Sequence, residues 1–156
     1  MGTDYIRSLR KSVGHQPIIL AFSGGILEND KHEILLQRRT DFDAWGLPGG
    51  GGAIEFGETA PEACKREYLE ETGLSVEVNS LLGVTTNHIQ EYPNGDVAQA
   101  VVIEFVVRLI GGHENVTSPE TSKLQYFAQG DLPEIFNKQH YRSIQRYFDK
   151  KFPYYD

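Results

Sequence analysis

The sequence predicts an α/β fold, a mixed β-sheet with helices on both faces. Two patterns carry that expectation. β-Rich runs bounded by Gly, Asn and Pro turns recur along the chain, and segments of helical periodicity lie between and beside them. Length adds a third, because 156 residues suit one domain. Residues 1–156 are therefore read as a single domain, with residues 1–16 as an N-terminal helical extension.

The elements follow in order. Asp4 to Val13 sets Tyr5, Ile6, Leu9 and Val13 near one helical face. Pro17–Ile26 reads as a strand broken by Gly24–Gly25, and Asn29–Asp30 turns into a strand from Glu33 to Arg39. Asp41–Trp45 reads as loop leading into the glycine run Gly49 to Gly52, and Ala53–Phe56 as a short strand. Thr59 then opens a helix with Glu62 three residues on, the capping-box pattern. Pro61 sits in the first turn, where its missing N–H costs little, and Gly73 stops the helix. Val76–Ile89 and Val97–Ile110 read as strands joined by the hairpin turn Pro93-Asn94-Gly95-Asp96. His113 to Thr121 is polar loop, Lys123–Ala128 a strand, and Gly130–Pro133 a turn into a short helix. Gln139 to Phe152 has Tyr141, Ile144 and Phe148 at helical spacing.

Composition narrows the function. A net charge of −7 argues against a general nucleic-acid binder, although metal ions can still draw anionic substrates to an acidic chain. The lone cysteine, Cys64, forms no intramolecular disulfide and suits a reducing compartment. No signal peptide and no run of membrane-spanning length is evident, so a soluble cytoplasmic protein is expected.

The helix from Thr59 is the informative element. Glu67, Glu70 and Glu71 fall within an arc of roughly 100° at ~100° per residue. Like charges so placed repel. A divalent cation removes the repulsion, and hard oxygen donors suit Mg²⁺ or Mn²⁺. The small apolar stripe of Ala60, Ala63, Cys64 and Tyr68 overlaps this arc, while Leu69 falls opposite. A plain surface helix does not set acids beside its buried stripe, and such local conflict marks functional sites.

Gly52 to Leu74 resembles the Nudix box of the Nudix hydrolases, GX5EX7REUXEEXGU with U aliphatic. Gly52, Glu58, Arg66–Glu67, Glu70–Glu71, Gly73 and Leu74 fill the pattern. Tyr68 stands at a U position, and two glycines look inserted in Gly49 to Gly52. The resemblance covers roughly Pro17 onward and implies an α/β/α sandwich. It also implies water attack on the phosphorus of a diphosphate linked to another moiety, an ADP-ribose-like compound or a nucleoside triphosphate. It implies metal ligation by Glu67, Glu70, Glu71 and the carbonyl of Gly51. Arg66 would orient the carboxylates, Glu58 would brace the loop or act through water, and Glu67 is a candidate general base. Arg39, the second arginine of a Leu-Leu-x-Arg-Arg run, is expected to touch phosphate. Dimers are common in the family, so a homodimer is open. The alternatives are a non-catalytic nucleotide sensor on the same fold, which would lose box acids this chain keeps, and a prenyl diphosphate isomerase, which would want a cysteine outside the box.

Other residues stand beside this set. Glu104 lies in an apolar strand, either a further ligand or base or an outward residue on an edge strand, and the edge position is favoured. Glu114 and Glu120 are rival loop acids. Trp45, Phe42, Tyr92 and Tyr126 are stacking candidates more often found as core or surface filler. His88 and His113 read as structural or solvated, and Cys64 as packing. A phosphate-cradling P-loop is rejected, because the glycine run lacks Gly-Lys-Ser/Thr.

Overall fold

A computed structural model describes residues 4–40, 43–49, 52–116 and 118–156. Among them are helices α1 (Tyr5–Val13), α2 (Ala60–Thr72) and α3 (Lys138–Phe148). The strands are β1 (Ile18–Leu27), β2 (Ile34–Arg39), β3 (Ala44–Gly46), β4 (Gly52–Ala53), β5 (Leu74–Glu91), β6 (Val97–Gly112), β7 (Thr121–Phe127) and β8 (Tyr154–Tyr155). None of the helices is long and apolar enough to cross a membrane.

A five-stranded sheet runs β4-β1-β6-β5-β8, and a three-stranded sheet β3-β2-β7 flanks it. The larger sheet is mixed: β1 lies parallel to β6, and β5 antiparallel to β6. Strand alternation divides its residues between two faces. Phe105 and Val107 pack under α2 with Cys64 and Tyr68. On the opposite face Ala98, Ala100 and Val102 meet Ile6 and Leu9 of α1, and Val106 joins the cluster containing Ile144 and Tyr147 of α3. Helices thus cover both faces, as the sequence predicts. The smaller sheet serves both cores, because Ile34 and Leu36 of β2 enter the α3-side cluster and Leu35 the α2-side cluster.

The helix that carries the acids is set by its ends. Thr59 Oγ1 accepts the Glu62 amide at 3.3 Å while Glu62 Oε2 accepts the Thr59 amide at 2.9 Å. Gly73, at φ 77°, closes the helix through its N–H to Leu69 O. Tyr68 is fully buried, and its hydroxyl donates to Gly25 O at 2.7 Å. The polar tip therefore has a partner, which is how a tyrosine occupies an aliphatic position of the box. Tyr68→Phe should lower stability by about 1 kcal/mol in urea unfolding, the usual worth of one buried hydrogen bond.

Several expected boundaries differ. β1 runs unbroken through Gly24–Gly25: a Cβ at Gly25 would lie 2.9 Å from Val107 Cγ1 and 3.2 Å from Cys64 Sγ, so glycine here permits close packing rather than a break. Ala44–Gly46, expected as loop, pairs with β2. β4 stops at Ala53 instead of reaching Phe56, because the next residues leave the sheet for a turn in which the Glu55 amide donates to Glu58 Oε1. The expected turn at Gly130–Pro133 contains a 3₁₀ turn at Gln129–Asp131, no short helix follows it before α3, and α3 ends at Phe148 rather than Phe152. β8 was not foreseen, since two residues carry no period.

Candidate active site

Three acids leave α2 on one side. Glu71 is buried, Glu67 half-buried and Glu70 exposed. Arg66 links them to the preceding loop. Its Nε and Nη2 donate to the two oxygens of Glu58 at 2.7 and 2.9 Å, a bidentate pair. Its Nη1 reaches Glu67 Oε1 at 2.8 Å and Glu70 Oε2 at 3.4 Å, and Nη2 also reaches Ala53 O at 3.1 Å. The guanidinium holds the Glu58 carboxyl below the usual range, and Glu58 in turn raises the arginine. Glu67 is pushed up, first by burial, although Arg66 opposes the shift.

Glu71 is the most perturbed acid of the helix. Burial, and then repulsion from Glu67, raises it to about 8. Its Oε2 accepts the Gly49 amide and, at 3.4 Å, Gln37 Nε2. Gln37 is itself held by Thr121 Oγ1 at 2.7 Å. The sequence signal for Gln37 is slight: a polar residue directly after the apolar run Ile34 to Leu36, with the same strand parity as Arg39.

These acids open on a pocket of about 630 Å³ lined also by Arg39, Glu55, Glu120 and the first residues of α1. The structure brings Glu67, Glu70, Glu71, Arg66 and Arg39 to one cavity, with Glu58 behind Arg66. Arg38 turns away and pairs with Asp43 at 3.0 Å. Of the two loop acids, Glu120 lines the pocket and its charge bears on Glu67 and Glu71, whereas Glu114 bears on Tyr126. Gly51, expected as a carbonyl ligand, and Phe42, a stacking candidate, lie outside the described residues.

Glu104 corrects an expectation. It is not at an edge and does not face outward: β6 lies between β1 and β5, and the residue is 1 % exposed. Its Oε1 accepts from Gln139 Nε2 at 3.0 Å, from Tyr154 OH at 3.2 Å and from Ser143 Oγ. Burial raises it to about 7. It is absent from the walls of the acidic pocket.

A second pocket of about 240 Å³ adjoins the first, sharing Ile6 and Arg39 with it. Phe22, Ala100 and Val102 form its apolar floor, with Tyr92, His88 and Gln139 at its walls. Among the expected stacking residues Tyr92 reaches this cavity. Trp45 packs edge-on against Phe127 at 5.0 Å, and Tyr126 packs on the α2-side core. His88, read as structural or solvated, faces the cavity too.

The profile of the NUDIX domain matches residues 21–147, which include all of α2 and its loop. The chain belongs to the Nudix family. An ADP-ribose pyrophosphatase of Methanocaldococcus jannaschii is 36% identical over 71% of this chain and 63% of its own length. An RNA pyrophosphohydrolase of Ruthia magnifica is 32% identical over 85% of this chain and 75% of its own. The chain thus spans just under two thirds of the first relative. Among solved structures, a UDP-X diphosphatase superposes with a TM-score of 0.69 at 25% identity, covering 100% of this chain and 76% of that one. The three names share a cleaved phosphoric anhydride and differ in what is attached to it.

Nudix hydrolases generally use divalent metal ions. The residues of this Nudix chain suit such an ion. Glu67, Glu70, Glu71 and Glu120 offer hard oxygen donors around one cavity. Gly52 belongs to the same cradle, since a Cβ there would collide with the Glu67 side chain. Among the described residues no three acidic, His or Cys side chains form a ready-made ligand cage. Arg66 Nη1 holds Glu67 Oε1 and Glu70 Oε2.

Proposed function

We propose that this chain is a Mg²⁺- or Mn²⁺-dependent pyrophosphohydrolase that cleaves a nucleoside diphosphate linked to another moiety, by water attack on phosphorus. The observation that carries the reading is the convergence of Glu67, Glu70, Glu71 and Glu120 on a cavity that also holds Arg39 and Arg66. A bound divalent cation supplies neutralisation of the diphosphate and a lowered pKa for water. Glu67, Glu70 and Glu71 would hold it, with the carbonyl of Gly51 as a further ligand. Arg66, fixed by Glu58, orients Glu67 and Glu70. Glu67 uses Oε1 on Arg66, which leaves Oε2 to take a proton from the attacking water, and its raised pKa suits that task. Glu120 is the rival base. Arg39, at the junction of the two pockets, would bind phosphate while the moiety attached to the diphosphate lies over the apolar floor beside Tyr92.

The partner is a small-molecule nucleotide rather than nucleic acid, in keeping with the net charge of −7. A cytoplasmic location and a homodimer belong to the same reading. The test is phosphate release with and without Mg²⁺, coupled to a phosphatase for ADP-ribose, NADH and dinucleoside polyphosphates, and to an inorganic pyrophosphatase for nucleoside triphosphates and a short triphosphorylated RNA. Metal-dependent cleavage of one compound establishes the activity and its substrate class. Silence across the panel, with a nucleotide still raising Tm, replaces the enzyme by a nucleotide sensor. Arg39→Ala should raise KM about tenfold with a smaller change in kcat, as loss of a charge-assisted hydrogen bond to the ground state does.

A further inference from the structure

α1 is attached to the rest of the molecule in an unusual way. None of its residues is fully buried, and Ile6 and Leu9 only rest on the sheet. Polar bonds tie both of its ends. At its start, Glu55 Oε1 accepts the Asp4 amide at 2.6 Å and Glu55 Oε2 the Tyr5 amide at 3.1 Å. A carboxylate there satisfies amides that have no partner inside the helix and complements the helix dipole. At its far end, Arg10 donates to Gln16 O at 2.6 Å and to Val97 O at 3.0 Å.

The first latch leads into the catalytic region. The Glu55 amide donates to Glu58 Oε1 at 3.1 Å, Glu58 receives the Arg66 fork, and Arg66 holds Glu67. A continuous hydrogen-bonded path therefore joins the first turn of α1 to the acid at the centre of the site. That turn is also part of the walls: Asp4, Tyr5 and Ile6 line the acidic pocket, and Ile6 lines the apolar one. A ligand spanning both pockets passes beneath it.

We propose that α1 is a working wall of the active site and that Glu55 is the positioning residue that latches it to the Glu58–Arg66–Glu67 clamp. The proposal rests on the hydrolase reading above. Both oxygens of the Glu55 carboxylate are taken by amides of the first turn of α1. Glu55 acts by fixing where α1 sits over the substrate and, through the shared loop, where Arg66 holds Glu67. An element held by end-tethers with little buried apolar surface is one that opens at low cost, so docking of α1 and occupancy of the site reinforce one another.

The test uses the full chain with Mg²⁺ and ADP-ribose, or the panel compound with the highest turnover, and reads kinetics beside limited trypsin digestion. Arg7, Arg10 and Lys11 provide cleavage points within α1. In Glu55→Ala, cleavage at Arg7 and Lys11 should accelerate, KM should rise about tenfold, and kcat should fall at least ~10-fold, because small misplacements of catalytic groups are costly. Glu55→Gln keeps an acceptor and should lie between the two. Arg10→Met loosens the far end but leaves the clamp intact, so KM should rise with kcat nearly unchanged. It also serves if the Glu55 variants fold poorly. Substrate should slow cleavage within α1 of the original chain. Wild-type kinetics in a variant whose α1 has opened to trypsin overturns the proposal while leaving the hydrolase reading intact. Unaccelerated cleavage in Glu55→Ala overturns the latch. A chain silent toward every panel compound removes the hydrolase reading and this proposal with it.

Discussion

Glu71→Gln should lower kcat at least ~100-fold, a loss typical of groups that act on the transition state, while leaving the metal-free protein as stable as before or more so. The two effects have opposite signs for one reason. Glu71 is buried and repelled by Glu67, so the fold resists its charge and raises it to about 8. Glutamine keeps the shape and an oxygen to accept the Gly49 amide, but carries no charge. The cost that burial imposes on the carboxylate disappears, and so does the anionic ligand the chemistry needs. The check pairs kcat under saturating Mg²⁺ with urea unfolding in chelator at pH 8. Near-normal turnover sinks the assignment of this residue to the metal site. A large loss of stability shows instead that the carboxylate is structural.

Glu104→Gln should flatten the pH dependence of stability between about pH 4.5 and 7. Burial raises the Glu104 carboxyl to about 7, above the ordinary glutamate value of 4.5. Below the lower value both folded and unfolded chains hold the proton, and the group contributes no difference. Between the two, the unfolded chain releases it and the folded chain keeps it, so stability falls as pH rises. The shift corresponds to about 3 kcal/mol at 1.36 kcal/mol per pKa unit, lost by neutral pH and not recovered above it. Glutamine has no such titration. Its carbonyl can accept from Gln139, Ser143 and Tyr154, and its amide takes the place of Oε2, which has no hydrogen-bond partner among the described residues. The variant should therefore match the original chain near pH 4.5 and exceed it at pH 7.5 in urea unfolding under chelator. Parallel curves would mean that Glu104 ionises as freely inside the sheet as in the unfolded chain. Activity should survive the substitution, since Glu104 does not line the acidic pocket.

Much of this protein is local, and local features are what a sequence states outright. Thr59, Glu62, Pro61 and Gly73 determine where α2 begins and ends through bonds between residues no more than four apart. The arc of Glu67, Glu70 and Glu71 follows from helical pitch alone. The hairpin at Pro93 to Asp96 and the long strands on either side are written in turn chemistry and β-branched runs.

The rest depends on partners far away in the chain. Glu104 looks like an outward acid until β6 is known to be a central strand, because parity gives a side chain's face but not what covers it. Arg38 and Arg39 are alike in sequence; the neighbouring Asp43 draws one outward while the other lines both pockets. Glu114 and Glu120 differ only in where the loop between β6 and β7 brings them, and loops carry no period to read. Gly24–Gly25 reads as a break, yet at Gly25 the missing Cβ is what Cys64 and Val107 require. Glu55 gives no local sign that it holds the start of a helix 51 residues earlier, at Asp4. The family, the acidic helix and the order of most elements are legible in the residues themselves, since they rest on relations within a few positions. Which distant side chains share the cavity emerges only on folding, because burial and neighbourhood belong to the packed molecule rather than to any segment of it.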